Sequence, residues 1–255
     1  MHDVGVYRKT VRGTGNATST SRRQYRFSLI SFIYSLSITP LTASVLLIRI
    51  YISLSLCNMS ATLSQSFSAD ESRLAVVVPN KPSPLAISYQ QLHSHISSFQ
   101  AKLAKLGVAH GAAVSLSLVN SYEFIVSFLA VSWQRGIAAP LNPAYKQDEF
   151  EFYIDDLKST LVLIPRDSYA QNGPAVRAGR KYQAAIAECY WNGNEVVLDV
   201  KEPGKLAGNP GCQVENAQPD DIALVLHTSG TTGRPKAVCI SDSGKRRLYK
   251  ALTGY

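Results

Sequence analysis

Residues 223–238 read ALVLHTSGTTGRPKAV. The stretch begins inside a short apolar run, Ile222 to His227, which has the length of a buried strand. Thr228, Ser229, Gly230, Thr231, Thr232 and Gly233 follow: four hydroxyls and two glycines in six positions. The glycines allow positive φ and let a ligand approach the backbone closely. Successive backbone N–H groups in such a turn converge on one anion, and hydroxyls add donors. Lys236 brings a compact positive charge, and Pro235 fixes φ just before it. From Ala237 to Ile240 the chain is apolar again, which predicts a second strand. The residue types and spacing suit a polyphosphate. A surface hairpin turn would need one or two glycines, but not four hydroxyls and a lysine at fixed spacing. Nor is this the G-x-x-x-x-G-K-[ST] loop that opens a helix, or a strand–GxGxxG–helix dinucleotide site.

Upstream, helices and strands alternate. Leu92, Ile96, Phe99, Leu103 and Leu106 fall on one helical face. Ser88 with Gln91 forms a capping box before them, and Gly107 is a suitable stop. Ala113 to Leu118 alternates as a strand, and Asn120 is placed to cap a helix over SYEFIVSFLAVSWQRG with Glu123 at its third position. IAAPLNP reads as a short buried strand ending in a proline turn, QDEFEFYIDDL as a helix and TLVLIP as a strand. This alternation predicts an α/β sheet layered with helices. From about residue 166 to 219 the pattern weakens. QNGPAVRAGRK and KEPGKLAGNPGC read as Gly/Pro-rich loops around a short helix and a strand from Glu195 to Val200. His93, His95 and His110 read as helix-surface or loop histidines, and Asp155 and Asp156 as a solvated helix end without a partner.

At TSGTTGRPKAV the sequence resembles the AMP-forming acid–CoA ligases and their adenylate-forming relatives, whose signature loop is T-S-G-T-T-G-x-P-K-G-V. Ala237 departs from the usual Gly, and its methyl group could crowd a closely packed strand. VNSYEFIVSFLAV, GIAAPLNPAY and DEFEFYIDDLKSTLVLIP are also similar to that family, most of all to its oxalate-CoA and coumarate-CoA branches. The resemblance runs from residue 59 to about 240 and implies an incomplete N-terminal domain of an adenylate-forming ligase. It implies that Thr228, Ser229, Gly230, Thr231, Thr232, Gly233 and Lys236 hold the β- and γ-phosphates of ATP, with Mg²⁺ carried by the nucleotide. CoA and a small carboxylic acid are the other reactants it implies, and it assigns no catalytic residue or resident metal here.

Net charge is +8, but its distribution argues against nucleic acid. Residues 1–58 carry +6 and residues 239–255 carry +3, leaving 59–238 at −1. No basic face lies in the part that resembles an enzyme. Cys57, Cys189, Cys212 and Cys239 show no metal-binding spacing. Residues 28–57 are long and apolar enough to cross a bilayer, although Pro40 would kink the span and Arg49 would cost about 2.5–3.5 kcal/mol at its centre. A signal anchor, a cleaved targeting segment and sequence upstream of a true start at Met59 are the three readings of residues 1–58. The resemblance itself implies a cytoplasmic or peroxisomal protein, without a C-terminal peroxisomal tripeptide. Membrane attachment would come only through 28–57.

After Ile240 comes SDSGKRRLYKALTGY, a basic stretch that does not resemble the family's continuation beyond this loop. The family's T-G-D ribose aspartate and adenylation lysine do not appear. The expectation is therefore a truncated ligase. The alternatives are a non-catalytic or membrane-tethered nucleotide-binding fragment, or the product of a truncated gene model.

Overall fold

The computed structural model describes residues 49–50, 62–67, 70–79, 84–228, 235–244 and 246–248. All of the apolar run 28–57 except Arg49 and Ile50 lies outside them. Those two residues form a short strand, β1 (Arg49–Ile50), paired antiparallel with β2 (Leu74–Val78). β2 pairs in turn with β3 (Leu85–Ser88), completing a three-stranded sheet. Among the described residues, no helix is long and apolar enough to cross a membrane.

Ser88 ends β3 and starts helix α1 (Tyr89–Leu106). Its hydroxyl accepts from Gln91 N at 3.2 Å, while Gln91 Oε1 accepts from Ser88 N at 2.9 Å. This is the reciprocal box expected from the sequence. Ser88→Ala removes one of its two bonds and is expected to cost about 1 kcal/mol, read as a lower urea midpoint with an unchanged slope. At the other end Gly107 takes φ 97°, and a Cβ there would meet the Asn209 side chain at 2.6 Å. Only glycine suits both conditions.

Among the described residues the main sheet has eight strands, added in chain order as β4 (Ala113–Leu116), β5 (Ile137–Pro140), β6 (Leu161–Ile164), β7 (Ala185–Trp191), β8 (Val196–Glu202), β9 (Ile222–Thr228), β10 (Lys236–Ser241) and β11 (Arg246–Leu248). Their spatial order is β11-β10-β9-β5-β4-β6-β7-β8. The five strands from β9 to β7 are mutually parallel, with antiparallel strands on both sides. β4 and β6 are buried at every position, as strands covered on both faces must be.

Helix α2 (Tyr122–Trp133) joins β4 to β5, and α3 (Gln147–Asp156) joins β5 to β6 on the other side of β4. Right-handed crossovers in opposite directions place these helices on opposite faces of the sheet. α1 packs with α2, and α3 packs with α4 (Pro174–Lys181). Phe150 and Ile154 of α3, Val176 and Ala178 of α4, and Val162 and Ile186 of the sheet share one apolar core.

Three local readings of the sequence change. The cap of α2 is Ser121 rather than Asn120, with its side chain accepting from Phe124 N at 3.3 Å. Glu123 is accordingly the second helical residue. Between 166 and 219, the segment read as the loop QNGPAVRAGRK contains α4, with Pro174 at its first turn. Residues 185–191 are a buried strand, so no short helix lies between that segment and Glu195.

Candidate functional site

β9 and β10 form an antiparallel hairpin whose last described rung is Thr228 opposite Lys236. Thr228 ends β9 and the exposed Lys236 starts β10. Ser229, Gly230, Thr231, Thr232 and Gly233, together with Arg234, lie outside the described residues. The structure therefore places the two ends of the predicted phosphate loop. A strand succeeds the lysine, as its apolar sequence requires, rather than the helix of a kinase-type loop.

The hairpin's position is set by the parallel sheet. β9 pairs with β5 through Leu224 and Ala138, so the carboxyl ends of both strands lie at the same edge. β5 and β4 are neighbours whose succeeding helices cover opposite faces. Ligands of open α/β sheets bind outside the carboxyl ends of strands at such a switch point. The loop leaves β9 at that edge, one strand from the switch.

Ala237 pairs directly with His227. Its methyl group is half-buried against a small core of Ala113, Ile137, Ala139, Leu157, Val225 and Cys239. β10 keeps regular pairing from Lys236 to Ile240, with an irregularity only at Ile240/Ser241. The departure from glycine is absorbed as packing.

His227 is the site residue that the sequence did not single out. Its side chain is 5% exposed, and Nε2 lies 2.9 Å from Asp156 Oδ2. The ring packs on Tyr153 at 4.6 Å between centroids and on Phe152 at 6.2 Å. Asp156 is thus a partnered carboxylate, not a solvated helix end. Its partner is 71 residues away in sequence, beyond the reach of any local spacing. Asp155 keeps to its own helix end, 2.5 Å from Lys158 Nζ. Burial and the adjacent Tyr145 push the Tyr153 hydroxyl up to about 12, so it stays protonated beside His227 at neutral pH.

The other described histidines have structural surroundings. His95 Nδ1 lies 2.6 Å from Tyr122 Oη, and burial, partly opposed by Glu195, pushes its imidazole below the ordinary value. His110 Nε2 approaches Asp221 at 3.2 Å, and His93 sits edge-on to Trp133. Among the described residues, no group of three or more His, Cys, Asp or Glu side chains could hold a metal ion. Cys189, Cys212 and Cys239 are free.

Residues 66–251 match the model of the family described as "AMP-binding enzyme". This chain belongs to that family. It corresponds to the N-terminal part of an adenylate-forming acid–CoA ligase. The chain is 38% identical over 159 residues to the oxalate–CoA ligase of Arabidopsis thaliana, a match covering 61% of this chain and 30% of that protein. It is 30% identical over 208 residues to the oxalate–CoA ligase of Saccharomyces cerevisiae, covering 72% of this chain and 38% of that protein. The chain thus spans about a third of the length of these relatives. ATP-bound MatB from Rhodopseudomonas palustris superposes with a TM-score of 0.53 at 26% identity, over 69% of this chain and 33% of that one. CmiS6 shares the fold with a TM-score of 0.54 at 21% identity, over 68% and 38% of the two chains.

Proposed function

We propose that this chain is the phosphate-holding part of an AMP-forming acid–CoA ligase. The observation that carries the reading is the TSGTTGRPK sequence on a hairpin at the carboxyl edge of the parallel strands. The ATP-bound relative at 26% identity supports ATP as the nucleotide. In this reading Thr228, Ser229, Gly230, Thr231, Thr232 and Gly233 wrap the β- and γ-phosphates, and Lys236 neutralises their charge. Mg²⁺ enters with ATP, as phosphate sites of this kind usually require.

The reaction served is carboxylate + ATP + CoA to acyl-CoA, AMP and pyrophosphate. A carboxylate oxygen attacks the α-phosphorus, and the bond to the β-phosphate's bridging oxygen breaks to release pyrophosphate. The CoA thiol then attacks the acyl carbon and AMP leaves. The loop contributes by orienting ATP and by stabilising the charge that collects on the departing pyrophosphate. The acid is a small carboxylate. Oxalate heads the compounds to test, because both relatives named above are oxalate–CoA ligases.

The purified 255-residue chain is expected to bind ATP with Mg²⁺ in titration calorimetry. Acyl-CoA formation from a panel of acids, oxalate first, is the second readout. A chain that binds no ATP would sink the phosphate reading. Acyl-CoA above background would show that these 255 residues suffice for catalysis.

A further inference from the structure

We propose that His227 is a positioning residue for the phosphate loop: clamped by Asp156, its imidazole fixes the direction in which β9 delivers Thr228 to the loop. The proposal rests on the phosphate reading of residues 228–236. Its observations are the burial of His227, its 2.9 Å contact with Asp156 and its place one residue before Thr228.

β9 is otherwise apolar from Ile222 to Leu226, and a leucine or phenylalanine could fill the same space without burying polar atoms. A polar ring buried there carries a desolvation cost that only a hydrogen bond offsets. Asp156 supplies that bond. An ionised carboxylate only accepts, so Nε2 is the nitrogen that donates. The bond is directional, whereas an apolar side chain at 227 would leave the strand end free to rotate and slide.

Three residues of α3 hold the ring: Phe152, Tyr153 and Asp156, which share one helical face. α3 starts just after β5, the strand beside β9 and at the switch point. Across the hairpin, Ala237 opposes His227 with the smallest side chain that has a Cβ, leaving the ring to α3. The clamp thus ties the root of the loop to the helix that leaves the neighbouring strand.

The test uses the 255-residue chain and the variants His227→Phe, Asp156→Leu and Asp156→Asn. Amide hydrogen exchange is read at Thr228 and Lys236, and ATP·Mg²⁺ affinity by calorimetry. His227→Phe and Asp156→Leu are each expected to speed exchange at Thr228 and Lys236 about ten-fold and to weaken ATP binding by a similar factor. The double variant should lose little more than either single one. Exchange at Ile222 and Leu224 should stay as in the wild type. Asp156→Asn keeps an acceptor oxygen, so it should rescue both readouts to within about two-fold.

Exchange unchanged at Thr228 and Lys236, or accelerated equally along the whole of β9, would overturn the proposal. So would an Asp156→Asn variant as impaired as Asp156→Leu. If the wild-type chain binds no ATP, the proposed function falls and the exchange comparison still decides whether the clamp positions the strand end. Should His227→Phe fail to fold, the Asp156 variants at the more exposed partner carry the same comparison.

Discussion

Lys236→Ala is expected to weaken ATP binding by this chain at least about ten-fold, the effect of one charge-assisted contact to phosphate. In a full-length ligase carrying the same loop, it should slow pyrophosphate release by roughly 10²–10³, the usual loss when a donor aimed at developing charge is removed. The expectation comes from position. Lys236 opens β10 directly opposite Thr228, at the mouth of the hairpin and the carboxyl edge of the parallel strands. A lysine–phosphate contact is worth about 1 kcal/mol in water and several-fold more where water is excluded. The loss on mutation should therefore shrink as salt is raised if the loop is open to solvent, and persist if it is not. Arg234→Ala should change affinity far less than Lys236→Ala, by about 0.5 kcal/mol or less. Calorimetry on both variants, with pyrophosphate-release kinetics in the longer enzyme, measures the contrast. A larger loss for Arg234→Ala would assign the phosphate contact to Arg234 rather than Lys236.

How far the sequence reveals this arrangement differs between elements, for physical reasons. The hairpin is legible because its chemistry is local: an apolar run, a glycine–hydroxyl loop and a second apolar run. α1 is legible because its period, capping box and Gly107 agree. The region from 166 to 219 misleads because tertiary contacts override local preference there. Pro174 and Gly179 suggest a loop, yet proline is welcome in a helix's first turn, and Gly179 lies where a Cβ would crowd Ile186 at 3.2 Å.

AIAECYW has alanines and a glutamate that disfavour a strand in isolation. Within the sheet, β7 is paired on both sides, and buried Glu188 accepts from Tyr169 N at 3.0 Å and lies 3.4 Å from Lys201 Nζ. The one-residue shift of the α2 cap reflects two adjacent capping residues, Asn120 and Ser121, with nothing local to choose between them. For the candidate site the limit is sequence distance. Thr228 and Lys236 announce themselves within one stretch, whereas the His227–Asp156 contact exists only once α3 lies on the sheet.

Asp242→Asn is expected to gain stability relative to the wild type as pH rises, while Asp242→Ala should lose about 1–3 kcal/mol, the cost of buried donors left without an acceptor. Asp242 lies just past β10 and is 2% exposed. Its Oδ1 accepts from Ser132 Oγ at 2.7 Å and its Oδ2 from Leu63 N at 2.9 Å, tying the end of the hairpin to α2 and to Leu63. Burial pushes its carboxyl above the ordinary value of 3.8, and the charge of Asp221 adds to this, against the pull of the two hydrogen bonds.

Asp221, joined to it through Asp242 N→Asp221 O at 2.8 Å, moves the other way. Burial opposes its ionisation too, but bonds from Arg135 and Gln218 N, with the charges of Arg135 and His110, hold it below the ordinary value. The two acids therefore have opposite linkage. A group that binds its proton more tightly when folded contributes fully below its unfolded pKa and loses that contribution as pH rises through the folded one. Asp242 is of this kind, so its contribution fades from about pH 4 upward. Asp221 contributes above its unfolded pKa, and that contribution is lost as pH falls through its depressed folded value.

Asparagine at 242 retains an oxygen for one donor and carries no charge to desolvate. Subtracting its urea-unfolding free energy from the wild type's, over about pH 4 to 8, should isolate the Asp242 titration and leave that of Asp221 in both curves. A difference that stays constant across that range would mean that Asp242 is ionised as readily in the folded chain as in the unfolded one. Its burial would then be offset by the Ser132 and Leu63 bonds alone. In Asp242→Ala, Ser132 and Leu63 lose their acceptor at every pH, so its deficit should remain on the alkaline side, where the asparagine variant is ahead.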